Sequence, residues 1–304
     1  MFAFLSKRSF FVITSALAGL VTTSCGFSGS NNASSPDTLV MGFIPNENAA
    51  TLRAAYAPLV KLISSASGKE VKFQVMTNYA ALIEGQRAGT VHIAMYGPLS
   101  YVLAKQTGVD ISPIGAELET KGGNPYYYSL IVARKDSGLK NLQDLRGKKF
   151  CFVDPESTSG RLYPLAALVR AGLKKGDYTE IFAGGHDASV LAVRDRDCDA
   201  GASRDLIFKN VLPKQKGIDR DDFTVLWQSG PVVNSPLAIS NKLNAKLRAD
   251  ITTAVLQRGN ADSLGVKNIG GVWGYIKVND SFYDPIRQMC KITALEACGK
   301  QAGS

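Results

Sequence analysis

The stretch Leu39–Gly68, LVMGFIPNENAATLRAAYAPLVKLISSASG, decides the reading of the fold. Its first six residues, Leu39–Ile44, form a short apolar run that stops at Pro45, the mark of a buried strand. Asn46–Ser65 then carries Leu52, Tyr56, Leu59 and Ile63 at spacings of four, three and four. That is one face of a helix, and Gly68 closes it. A strand followed by an amphipathic helix is the first unit of an α/β sheet.

The unit recurs downstream. Val71–Met76 alternates as a strand, and Asn78 caps a helix over Tyr79–Arg87 that ends at Gly89. Val91–Tyr96 is a third strand, Gly97-Pro98 opens a helix with Leu99, Val102 and Leu103, and Ile111–Ile114 is a fourth strand. A longer strand, Tyr127–Arg134, leads to a surface helix at Leu142–Leu145. The rhythm then restarts: strand Lys149–Val153, helix Gly160–Ala171, strand Thr179–Phe182, helix Asp187–Asp195, strand Cys198–Ala202. Strands Thr224–Gln228 and Ser235–Ser240 follow, then a helix over Leu243–Gln257. This pattern predicts two α/β lobes with mostly parallel sheets. Lobe 1 is expected over 39–133 and 233–304, and lobe 2 over 134–232. Two crossovers make a hinge, and a ligand then sits in the interlobe cleft at the carboxyl ends of strands.

Composition agrees. The 304 residues are 45% hydrophobic and 20% charged, which excludes a disordered chain, collagen or a coiled coil. The formal net charge is +9, and Lys7 and Arg8 account for two of those charges. The basic residues are scattered among acidic ones, so the excess fits a small anionic ligand and no nucleic-acid partner is expected.

Residues 1–25 read as a secretory leader, with Lys7 and Arg8 before the apolar run Phe10–Val21. That run is shorter than a membrane span requires. Thr22-Thr23-Ser24 lead into Cys25, which looks like a bacterial lipoprotein cleavage site, although Thr22 stands where such sites usually carry Leu. Lipidation of Cys25 and a flexible polar tether over 26–38 are therefore expected, with an ordinary secreted protein as the alternative. Four further cysteines, Cys151, Cys198, Cys290 and Cys298, allow three pairings in an oxidising compartment. Local spacing favours Cys290 with Cys298, which leaves Cys151 with Cys198; free buried thiols are the alternative. No spacing matches a metal motif.

Three strand ends carry the candidate chemistry. In Val153–Pro164, VDPESTSGRLYP, the hydroxyls of Ser157, Thr158 and Ser159 precede Gly160 at a helix start. Free N–H groups, a positive helix end and adjacent hydroxyls suit a tetrahedral oxyanion. A helix cap explains one serine, not three successive hydroxyls. In Phe182–Asp187, FAGGHD, His186 sits at the next strand-to-helix turn. In Met95–Pro98, MYGP, Tyr96 stands at the matching turn of the first lobe. Asp205 is placed to accept from a protonated ligand oxygen or an amine, since a bare carboxylate repels an anion. Phosphate-cradling and nucleophile motifs of the common nucleotide enzymes and hydrolases are absent.

Taken together these residues resemble the phosphate, phosphite and phosphonate-binding proteins of ABC importers. The likeness rests on Ile44-Pro45-Asn46, Met95-Tyr96-Gly97, Asp154–Gly160, Phe182–Asp187, Asp199–Ala202 and Tyr283-Asp284-Pro285. It implies a two-lobed periplasmic-binding-protein fold, type II-like, with two interlobe crossovers and a central cleft. It also implies that Ser157, Thr158 and Ser159 hold a phosphorus oxyanion, that Tyr96 and His186 complete the clamp, and that Asp205 accepts from P–OH or an amine. Tyr126 or Tyr127 is expected near the ligand's far side. The expected function is capture of the oxyanion by hinge closure and delivery to membrane permease subunits. A monomer with no cofactor and no enzymatic activity, extracytoplasmic and lipid-anchored, is expected. The alternatives are an anion-sensing adaptor, or a hydrolase or transferase using Ser157 and His186.

Overall fold

The computed structural model describes residues 34–214, 218–293 and 295–299. The expected leader, Cys25 and most of the tether lie outside the described residues. The end of the tether is held: Ser34 N–H donates to the Lys242 carbonyl at 2.8 Å, and Asn244 N–H donates to that of Ser34.

The chain builds β1 (Thr38–Phe43), α1 (Ala49–Ser67), β2 (Glu70–Val75), α2 (Tyr79–Ala88), β3 (Ile93–Met95), α3 (Pro98–Gln106) and β4 (Ile111–Leu118). Asn48 caps α1 by accepting from Ala50 and Thr51 N–H, so the helix starts three residues after the expected Asn46. Leu52, Tyr56, Leu59 and Ile63 form its buried face, as their spacing predicts. Short strands β5 (Tyr126–Tyr127) and β11 (Val232–Val233) pair antiparallel as a ribbon. This ribbon is where the chain crosses out of the first lobe and returns.

Between the crossovers lie β6 (Ser129–Arg134), β7 (Lys149–Phe152), α4 (Tyr163–Arg170), β8 (Thr179–Phe182), α5 (His186–Arg194), β9 (Ala200–Arg204) and β10 (Phe223–Gln228). After the return come β12 (Pro236–Ser240), α6 (Ala245–Arg258), α7 (Ala261–Leu264), β13 (Gly274–Ile276) and α8 (Asp284–Thr293). One sheet runs β13-β4-β12-β3-β1-β2 and the other β10-β6-β9-β7-β8. β1 is parallel to β2 and β3, and β7 to β8 and β9. β12 and β6 enter their sheets antiparallel because each arrives directly from the opposite lobe.

β6 corrects the expected boundary. The sequence reading ended lobe 1 at 133, but Ser129–Ala133 pairs with Ala200–Arg204 in the second sheet. Leu130 and Val132 pack with Val190 and Val193 of α5, while Ile131 and Ala133 pack with Ala167 and Leu168 of α4. A strand covered on both faces reads as a continuous apolar run. Disulfides join Cys151 to Cys198, where β7 and β9 lie side by side, and Cys290 to Cys298.

The helix expected from Gly160 begins as a wider turn. Leu162 N–H donates to the Ser157 carbonyl, and Thr158–Leu162 forms one π-type turn before α4. Pro164 has no N–H to give to the Gly160 carbonyl, and Val153 N–H takes that acceptor at 3.0 Å. The turn is thereby stitched to the end of β7. A side chain at Gly160 would collide with Val153 and with Ser157 Oγ, so only glycine permits this approach.

Candidate ligand-binding site

Four helix starts converge between the sheets. Tyr79 opens α2, Gly97 caps α3, Ser157 caps the π-type turn and His186 opens α5. Each presents the positive end of its backbone dipole. Between them lies a cavity of about 20 Å³. Lobe 1 and the hinge contribute Ile44, Asn46, Tyr79, Gly97, Tyr127 and Ser235 to its wall; lobe 2 contributes Ser157, Thr158, Ser159, His186 and Arg204. No carboxylate is among them.

The cleft is closed. Leu99 N–H of α3 donates to Thr158 Oγ1 at 2.8 Å. His186 N–H donates to the Asn46 carbonyl at 2.9 Å, and Asn48 N–H to Asp187 Oδ2 at 2.9 Å. Asp154 Oδ2 accepts from Tyr79 N–H at 3.4 Å, capping a helix of the opposite lobe. Apolar packing accompanies these bonds: Ile44 and Leu99 share one cluster with Val153 and Leu162.

The hydroxyls are held in place. Ser157 Oγ accepts from Gly160 N–H at 3.1 Å, and its hydroxyl also neighbours the Tyr79 phenol. Ser129 Oγ donates to the Ser159 carbonyl at 2.7 Å and fixes the turn against β6. Burial pushes the Tyr79 phenol up, reinforced by Asp154 and opposed by the neighbouring Ser157 hydroxyl. Burial likewise pushes Tyr127 up, opposed by the Ser159 hydroxyl and by Arg204. Both phenols keep their protons at neutral pH and remain donors.

His186 is 4% exposed. Its Nδ1 accepts from Arg204 N–H at 3.0 Å, so the proton of the neutral ring resides on Nε2. Burial, then the Arg204 cation, pulls its pKa down to about 3. The imidazole is therefore a neutral donor at working pH.

Two expected site residues lie elsewhere. Tyr96 is fully buried in the apolar cluster, edge-on to Tyr101, and the cavity wall passes through its neighbour Gly97. Asp205 Oδ1 accepts from Tyr128 N–H at 3.0 Å and its Oδ2 pairs with Lys209 at 3.2 Å. Alternation along β9 turns Arg204 to the cavity instead. Of the tyrosines at the first crossover, Tyr127 lines the cavity and Tyr126 is exposed against Phe282. Tyr79 and Arg204 had no motif to announce them. The signal for Arg204 was a lone cation at the end of an otherwise small-residue strand, Ala200-Gly201-Ala202-Ser203. His92, the second histidine, accepts from Val40 N–H and stays within the first sheet.

Two lobes, a double crossover and a donor-lined cleft closed at helix starts define a solute-binding protein of the kind that serves membrane importers. The family model for the periplasmic substrate-binding protein of ABC phosphonate transporters matches residues 41–283, and the chain belongs to that family. It is 34% identical to the phosphate-import protein PhnD of Mycolicibacterium smegmatis, over 93% of this chain and 95% of that one. It superimposes with a TM-score of 0.77 on the binding component of a phosphonate ABC transporter from Pseudomonas aeruginosa, at 24% identity and with 84% and 86% of the chains covered. With PhnD1 of Prochlorococcus marinus, solved with methylphosphonate, the TM-score is 0.73 at 22% identity, covering 86% and 99%.

Proposed function

We propose that this substrate-binding protein captures a compact phosphorus oxyanion, phosphate or phosphite, and hands it to its membrane permease. The observation that carries the reading is the cavity itself: five neutral donors, Tyr79, Tyr127, Ser157, Ser159 and His186, face a space with no carboxylate. Hydrogen bonds to a charged acceptor contribute about 1.5–3 kcal/mol each. Five of them reach the roughly 8 kcal/mol of micromolar capture after some loss to closure. Closure removes water, and the lower local dielectric strengthens every bond.

Size favours a small anion. A cavity of 20 Å³ is little more than the roughly 10–15 Å³ that one water centre occupies. A tetrahedral anion takes up slack from the closed lobes, and each added carbon forces them further apart. An aminoethyl group would also bring an ammonium to a wall in which no carboxylate stands in direct contact.

Catalysis is disfavoured by the same geometry. His186 Nδ1 already accepts from Arg204 N–H, and a ring with a pKa of about 3 is a poor general base. Ser157 Oγ serves as a cap. The leader and Cys25 suit a lipid-anchored, extracytoplasmic monomer; the intact mass of the mature chain tests the anchor.

The test is a thermal-shift panel of phosphate, phosphite, methylphosphonate, 2-aminoethylphosphonate and sulfate. A ligand at 100 times its dissociation constant adds about 2.7 kcal/mol of stability. Phosphate or phosphite should give the largest shift and 2-aminoethylphosphonate the smallest. The largest shift from 2-aminoethylphosphonate, or none from any phosphorus anion, overturns the reading.

A further inference from the structure

Arg204 is the one cation in the cavity wall, and it is not free to neutralise a ligand. Its Nη1 donates to Glu117 Oε2 at 2.9 Å, and its Nη2 donates to Asn234 Oδ1 at 3.0 Å and Glu119 Oε1 at 3.3 Å. Glu117 is 2% exposed, and its other oxygen accepts from Tyr56 OH at 3.1 Å. Its charge is therefore screened by Arg204 and hardly by water. One guanidinium facing two carboxylates leaves a local excess of negative charge before any ligand arrives.

Resting on the phosphorus-oxyanion reading, we propose that the site selects the singly charged form of its ligand, and that Glu117, acting through Arg204, is the residue that sets this choice. The Nε–H of Arg204 has no hydrogen-bond partner, and the flat face of the guanidinium lies over the Tyr127 ring at 4.7 Å. The remaining wall offers neutral dipoles. Neutral dipoles hold one negative charge well, whereas a second charge in the same closed cavity meets no uncompensated cation.

The surrounding charges act in the same direction. Glu47 and Asp187 lie on the neighbouring interlobe seam, with Arg204 and then Lys214 as the opposing cations for Glu47. Asp205 acts on Glu119 from behind and is itself paired with Lys209. His186 adds no cation because Arg204 N–H occupies its Nδ1. Burial, then Asp187, raises the Glu47 pKa to about 7, so rising pH adds a further negative charge nearby.

The experiment is calorimetric titration of the full mature protein with inorganic phosphate and with phosphite, from about pH 5 to about pH 9. Both anions lose a second proton near neutral pH, at different values. The association constant should be level while the ligand is singly charged and then fall about tenfold per pH unit. The break should move with the ligand. Glu117→Gln should flatten the fall, raising affinity at the alkaline end about tenfold over the unsubstituted protein. Glu119→Gln, at a half-buried position, should do the same more weakly and covers the case where Glu117→Gln does not fold. Affinity that holds or rises through the second ionisation overturns the proposal. A break at one fixed pH for both anions also overturns it, because a protein group such as Glu47 would then set the profile. Binding of neither anion at any pH would instead sink the function proposed above.

Discussion

The neutral state of His186 has a thermodynamic signature that tests the whole site. Its pKa is about 3 in the folded protein against 6.5 for a free imidazole. Between these values the unfolded chain binds a proton that the folded chain refuses, so stability rises with pH. The contribution is fully present above pH 6.5 and is lost as pH falls towards 3. The whole interval is worth about 5 kcal/mol at 1.36 kcal/mol per unit. From pH 7 down to about pH 4.5 the loss is about 2.5 kcal/mol. In His186→Gln the loss is absent, while an amide oxygen is still offered to Arg204 N–H.

Urea unfolding at the two pH values, for both proteins, gives the difference of differences. Trp227 on β10 of one lobe and Trp273 beside β13 of the other provide fluorescence in each sheet. Coincident transitions from the two establish that the unfolding is two-state. The buried carboxyls Asp154, Asp187 and Glu47 titrate in both proteins and cancel. The unsubstituted protein should lose about 2.5 kcal/mol more than the variant. Equal losses would mean that the imidazole accepts a proton in place. The ring would then reach water or an anionic partner, and the account of a dry, donor-lined cavity would be wrong.

Ser159→Ala should weaken phosphate or phosphite binding about 10- to 100-fold with little loss of stability, because its carbonyl keeps the bond from Ser129 and its hydroxyl meets only the Tyr127 phenol at the cavity wall; calorimetry beside thermal melting checks this, and unchanged affinity places the oxyanion elsewhere. Glu47→Gln should leave stability unchanged near pH 4.5, where the native carboxyl is already protonated, and raise it above pH 7 by up to about 3 kcal/mol, since ionisation of the buried group costs the native state; no gain at about pH 8 would show Glu47 already solvated or paired.

The alternating lobes were legible because apolar periodicity is local and each strand-to-helix turn carries its own glycine or cap. Ser157–Ser159 and His186 were legible for the same reason: the chain that bears them also aims them. The sequence points to Asp205 and not to Arg204 because one step along a strand swaps its faces, and register is set by a partner far away in sequence. Here that partner is β6, whose Ser129 lies opposite Arg204. A lobe boundary at 133 leaves Ser129–Ala133 in lobe 1 and hides this pairing. Tyr96 and Gly97 show the same ambiguity at the first turn. Tyr79 lines the cavity from the start of α2, where Asn78 of its own lobe caps the helix and Asp154 of the other lobe accepts from Tyr79 N–H.

Contacts between the lobes are a second layer that local sequence patterns do not encode. Arg204 and Glu117 are 87 residues apart, and Leu99 and Thr158 are 59 apart. Such pairs form only when the two sheets approach. Opening would separate Thr158 Oγ1 from Leu99 N–H and the His186 backbone from Asn46. In the proposed reading, closure assembles the candidate site and excludes water from it in one movement. A substitution on this seam should change affinity through the closure equilibrium even where its side chain never meets the ligand.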